Sequence, residues 1–171
     1  MQDDLAEFST ELYSIMQSGT QLGEQLKAGE ASLARLLASE AFSQRILKDE
    51  LFDTLTLYSH PDAGLRIYAH RHSAPKEGIP HDHGSSWAIY GTLDGVTEMT
   101  EWEVLQSRAE GKHLRATRTY EVGDGETKSY GPHVIHSTRH LTDTVVIRVT
   151  GTDLSQIPRF HFKKGRDEII S

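Results

Sequence analysis

His81 and His83 stand two residues apart in the run His81-Asp82-His83-Gly84-Ser85-Ser86-Trp87-Ala88-Ile89-Tyr90. On an extended strand, side chains at i and i+2 share a face, so the pair can offer two imidazoles to one metal ion. A third candidate, His136, closes Gly131-Pro132-His133-Val134-Ile135-His136. Neutral imidazole is a common metal ligand, and three of them leave coordination positions open for substrate, water or oxygen. His133 flanks the same Gly-Pro corner and competes with His136 for the third place. Ten histidines in 171 residues make chance pairs common. His70-Arg71-His72 is a second such pair, and it reads as surface because no third ligand completes it. Imidazole ligates only when neutral, so metal affinity is expected to weaken as pH falls through about 6.5.

Around the histidines stand further candidates. Arg148 interrupts the apolar run Val145-Val146-Ile147-Arg148-Val149. A guanidinium there can clamp a carboxylate through two hydrogen bonds, unless the alternate face of the strand meets water. Trp87 and Tyr90 are expected to wall a pocket, their alternative being plain core packing. His140, four residues after His136, is a candidate hydrogen-bond partner behind a ligand or else a surface-loop histidine. Arg148 and His140 are thus the candidate catalytic residues beside the metal set His81, His83 and His136.

Two kinds of element must position these groups. Leu5, Phe8, Leu12, Ile15 and Met16 recur at helical spacing and stop at Gly19. Leu33, Leu36, Leu37, Phe42, Ile46 and Leu47 continue the pattern, with Ser39 as an internal cap. These stripes are expected to cover the outside of a barrel. From about Leu51 the chain turns to short β-rich runs: 55–58, 65–69, 89–93, 96–104, 113–121, 134–135, 145–149 and 160–162. Asp94-Gly95 between two such runs predicts a two-residue hairpin opened by the histidine pair. A mainly β barrel or jelly roll with an N-terminal helical segment follows, with helices over residues 1–50, the barrel over 51–171, and one domain overall.

The formal net charge is −7 with no Lys/Arg run, which argues against nucleic acid or an anionic membrane as the partner. No apolar stretch approaches membrane-spanning length, and Met1-Gln2-Asp3-Asp4 is an acidic start. A cytoplasmic protein is the expectation. Cysteine is absent, which removes disulfides, thiolate-held metal and any thiol nucleophile.

Pro80-His81-Asp82-His83, followed by an apolar strand and Gly95, resembles the first motif of the cysteine dioxygenase-like branch of the cupins, and Gly123-Asp124 through Gly131-Pro132-His133-Val134-Ile135-His136 resembles its second. The resemblance spans roughly residues 50 to 160. It implies a cupin double-stranded β-helix, and Fe(II) held by His81, His83 and His136, with Mn, Ni, Zn or Co as other ions for such a site. It also implies oxidation of a small chelating, thiol or acidic substrate with O2, and allows a homodimer. Three features depart from that branch. Ala88 stands where the animal enzymes carry a cross-linking cysteine, Arg148 falls where a histidine of the family's substrate-orienting run would be, and no arginine aligns with the family's carboxylate clamp. Trp87 occupies the place of the usual cupin glutamate, which favours an all-histidine site. A metal-dependent isomerase or lyase and a non-catalytic small-molecule binder are the other functions this pattern permits.

Overall fold

The computed structural model describes residues 4–107, 111–162 and 169–170; the acidic start Met1-Gln2-Asp3 lies outside the described residues. Helices α1 (Asp4–Met16), α2 (Leu22–Leu37) and α3 (Glu40–Lys48) come first. Ser39 caps α3, its Oγ accepting from the Phe42 amide at 3.2 Å, which satisfies one of the donors a helix start leaves free. No helix among the described residues is long and apolar enough to cross a membrane.

The remainder is β: β1 (Thr54–Ser59), β2 (Arg66–His72), β3 (Lys76–Glu77), β4 (Ala88–Asp94), β5 (Thr97–Ser107), β6 (Gly111–Val122), β7 (Thr127–Tyr130), β8 (Ile135–His140), β9 (Thr144–Thr150), β10 (His161–Phe162) and β11 (Ile169–Ile170). One sheet has the order β1-β2-β9-β4-β7 and a second the order β3-β8-β5-β6. All their pairings are antiparallel. This is a double-stranded β-helix preceded by helices.

The period-2 alternation of the strands decides what the five-stranded sheet shows to each side. Ile67, Ala69, Ile89, Val145, Ile147 and Val149 point to α1–α3 and pack with Leu12, Leu33, Leu36 and Leu37 into one large core. The opposite face, carrying Tyr90 and Val146, meets Met99 and Val122 of the other sheet in a smaller cluster. Most of the apolar burial therefore lies between sheet and helices. The space between the sheets is left free to hold polar groups.

Two expectations are corrected here. Asp94-Gly95 does not close a hairpin: β4 pairs with β7 and β9, while β5 pairs with β6 and β8. The dipeptide instead carries the chain from one sheet to the other. Gly95 has φ +89°, and a Cβ there would meet the Asp143 carbonyl oxygen at 2.3 Å, so glycine serves a sharp crossing. Nor do His81 and His83 share a regular strand. His81 forms single-residue bridges to His136 and His161, and β4 begins only at Ala88.

Candidate metal centre and cavity

The three histidines meet because two backbone segments are tied at one point. The His81 amide donates to the His136 carbonyl, and the His136 amide to the His81 carbonyl, both at 2.9 Å. Asp82 then turns the chain. Its buried Oδ1 accepts from the Gly84 amide at 3.1 Å and from the Phe160 amide at 2.9 Å. Gly84 has φ +55°, and a Cβ there would lie 2.2 Å from the Pro158 carbonyl oxygen, so only glycine suits this turn. His83 is thereby folded back toward its neighbours. One ring nitrogen from each of His81, His83 and His136 lies within 4.8 Å of the others.

Hydrogen bonds fix two of the rings. His81 Nδ1 donates to the Ile79 carbonyl at 3.0 Å and His136 Nδ1 to the Val134 carbonyl at 3.2 Å, so each neutral ring keeps its lone pair on Nε2. The Tyr90 hydroxyl lies 3.1 Å from His83 Nε2 and 3.3 Å from His136 Nε2. His83 Nδ1 is buried with no partner. Burial and the neighbouring imidazoles hold His83 down to about 2, and burial with His81 holds His136 down to about 3. Burial also lowers His81. Burial raises the Tyr90 phenol, against the opposing pull of Arg148. The centre is thus a set of neutral donors in a dry place, and its unsatisfied His83 ring fits a divalent ion. Held neutral, His83 and His136 add no proton competition to metal binding near pH 6.5, and the downward push on His81 acts in the same direction.

His133, the rival third ligand, takes φ +63° and turns outward, its side chain 67% exposed. Tyr130, which the sequence reading passed over, stacks on the His136 ring with centroids 4.1 Å apart and planes at 5°. Its signal was parity: it precedes the Gly-Pro corner, and it pairs with Ala88 across β7 and β4.

A cavity of about 140 Å³ opens beside the centre, lined by His81, Tyr90, Met99, Val146 and Arg148 among others. Arg148 lies in the β9 register between Tyr68 and Tyr90, with its guanidinium 5.2 Å from the Tyr68 ring centroid and its buried Nε unpartnered. Trp87 does not wall this space. It shares parity with Ile89, packs into the helix-side core and sits against Gly151. His140 lines the cavity far from His136 along β8, where its Nδ1 meets the Thr97 and Thr144 hydroxyls at 3.1 and 2.9 Å. It does not support a ligand of the triad. His70 and His72, read as surface, also line the cavity. The inner face of β2 meets the second sheet rather than water.

No protein-family model matches the chain, and no curated protein matches it. Solved structures do. A conserved protein with a double-stranded β-helix domain from Klebsiella pneumoniae is similar at TM-score 0.50 and 8% identity, over 71% of this chain and 89% of that one. A cupin superfamily protein from Desulfitobacterium hafniense gives 0.44 at 11% identity, over 58% and 78%. Salicylate 1,2-dioxygenase from Pseudoaminobacter salicylatoxidans gives 0.48 at 16% identity, over 75% and 37%. At these identities the likeness is one of fold.

Proposed function

We propose that this chain holds one divalent transition metal on His81, His83 and His136 and acts as a non-haem iron dioxygenase on a small, chelating, anionic substrate. The observation that carries the reading is three converging neutral imidazoles beside a cavity that Arg148 also lines. Three nitrogen donors and no carboxylate suit Fe(II) and equally Mn, Ni, Zn or Co. When bound, ferrous iron supplies Lewis acidity and the one-electron chemistry that O2 requires. The protein supplies the rest. Arg148 attracts and orients an anionic group by charge-assisted hydrogen bonds. The Tyr90 hydroxyl, its proton held by burial, donates toward the ligand face. Met99 and Val146 keep water off the reacting end. A space of about 140 Å³ admits only a small molecule.

Oxygen uptake by the iron-loaded protein over a panel of thiols, diketones and catechol-like acids tests this. Uptake should occur only when a chelating acid is present, with both oxygen atoms entering the product. Turnover at the same rate without oxygen would overturn the dioxygenase in favour of an isomerase or lyase. A purified protein that retains no stoichiometric metal would leave a binding module.

A further inference from the structure

The reaction proposed above occupies one end of the cavity, and the other end carries a second group of histidines. In β2 and β8, His70, His72 and His140 face inward, with His70 opposite Val146, His72 opposite Thr144 and His140 opposite Thr97. The His72 and His140 rings stack 4.1 Å apart, and those of His70 and His72 lie 6.0 Å apart with planes at 5°.

Each ring commits Nδ1 and leaves Nε2 uncommitted. His70 Nδ1 meets the Thr54 hydroxyl at 3.0 Å, His72 Nδ1 meets Lys76 Nζ at 3.0 Å, and His140 Nδ1 meets the Thr97 and Thr144 hydroxyls. No Nε2 of the three has a hydrogen-bond partner among the described residues, and that of His70 is fully buried. An ammonium only donates, so His72 Nδ1 accepts and the ring's proton sits on Nε2 as a free donor. These rings do not form a second metal centre. Among the described residues, only His81, His83 and His136 bring three ligand atoms within 4.8 Å.

The charge of the lining points to the ligand. Asp and Glu outnumber Lys and Arg by 25 to 18 in the chain, yet among the described residues none lines the cavity, whose described ionisable groups are His70, His72, His81, His140, Arg148 and the Tyr90 phenol. The Arg148 guanidinium with its unpartnered Nε, the free His72 Nε2 donor and the uncommitted Nε2 atoms of His70 and His140, with no described carboxylate beside them, call for an oxyanion. In register, Met99 lies opposite Thr138, midway along β8 between His136 and His140, and Val146 lies midway along β9 between Arg148 and the Thr144 that pairs with His72, with His70 level with it. The volume, about 140 Å³, is near the ~150 Å³ that encloses benzene.

We propose that His70, His72 and His140 form a second oxyanion subsite, so that the substrate is a short diacid: one end at the triad and Arg148, a spacer of a few carbons on the apolar band, and a carboxylate on the far Nε2 donors. The orientation of the substrate rests on the metal-centre reading; the subsite itself does not.

The test is calorimetric titration of the full-length, zinc-loaded protein with succinate and with butyrate, which have equal carbon counts and differ in the second carboxylate. Succinate should bind at least roughly tenfold tighter, the scale of one charge-assisted contact. His72→Phe, which keeps a ring on His140, should remove that preference while zinc stoichiometry stays at one. In the unaltered protein, the imidazole nitrogen resonances of His72 and His140 should shift with succinate and stay put with butyrate. Equal binding of the two acids, or unmoved His72 and His140 resonances, would overturn the subsite. Oxygen uptake is read separately: a succinate preference without uptake by any compound keeps the subsite and removes the dioxygenase, and uptake with monoacids but no preference does the reverse.

Discussion

Arg148 brings a permanent charge into a space that offers it no carboxylate among the described residues, only the Tyr68 ring and the Tyr90 phenol, and leaves its Nε buried without a partner. A group so placed is costly to the empty protein. Arg148→Met should therefore raise stability against urea by about 1 kcal/mol while weakening substrate binding at least tenfold. A loss of stability in the variant would mean that the arginine serves the fold. At the metal, His81→Ala, His83→Ala or His136→Ala should each remove most of the bound ion, and His133→Ala, whose side chain points outward, should keep it. Elemental analysis of the four proteins decides this. Metal lost from His133→Ala and retained by His136→Ala would reverse the ligand assignment.

At the scale of elements, the turn at residues 81–84 makes the centre, and Asp82 makes the turn. Asp82→Ala would leave the buried amide of Gly84 and the part-buried amide of Phe160 without their acceptor. Each orphaned donor costs about 1–3 kcal/mol, so denaturant unfolding should show a loss of about 2 kcal/mol or more, with weaker metal retention as His83 is released. Unchanged stability would mean that the backbone bridge between His81 and His136 suffices alone. This turn also marks where the sequence stopped being legible. Local signals were readable: the helical stripes, the Ser39 cap, the strand runs and the approach of His136 to the His81/His83 pair. Facing was not. Parity cannot be counted through Gly84-Ser85, so Trp87 was assigned to the cavity although it faces the helices. Asp94-Gly95 fixes a turn but not which sheet the next strand joins. Whether His70 and His72 meet water or a second sheet depends on a strand more than sixty residues away, β8.

For the molecule as a whole, most apolar residues of the main sheet are turned to the helices, and His83 and His136 are buried on its other side against Tyr90, so acid should act on the fold itself. In the unfolded chain an imidazole takes up a proton near pH 6.5, whereas folded His83 and His136 are held to about 2 and about 3. Between those values the unfolded state binds more protons, so falling pH favours unfolding. The stability these two neutral, buried rings permit is complete above about pH 6.5 and declines below it by about 1.4 kcal/mol per pH unit for each ring. From pH 7.5 to 5 the pair should cost on the order of 4 kcal/mol, a large share of the 5–15 kcal/mol typical of a domain. Urea unfolding of the metal-free protein at the two pH values measures this, and His83→Phe should lose about half of the dependence. Metal affinity of the folded protein should vary with pH less steeply than three free imidazoles would dictate over the same range, because His83 and His136 are already neutral and His81 is pushed the same way. A protein whose stability is flat from pH 7.5 to 5, or whose metal affinity falls as steeply as three free imidazoles dictate while its stability holds, would show that the three imidazoles are hydrated and protonated in the folded state rather than held dry for an ion.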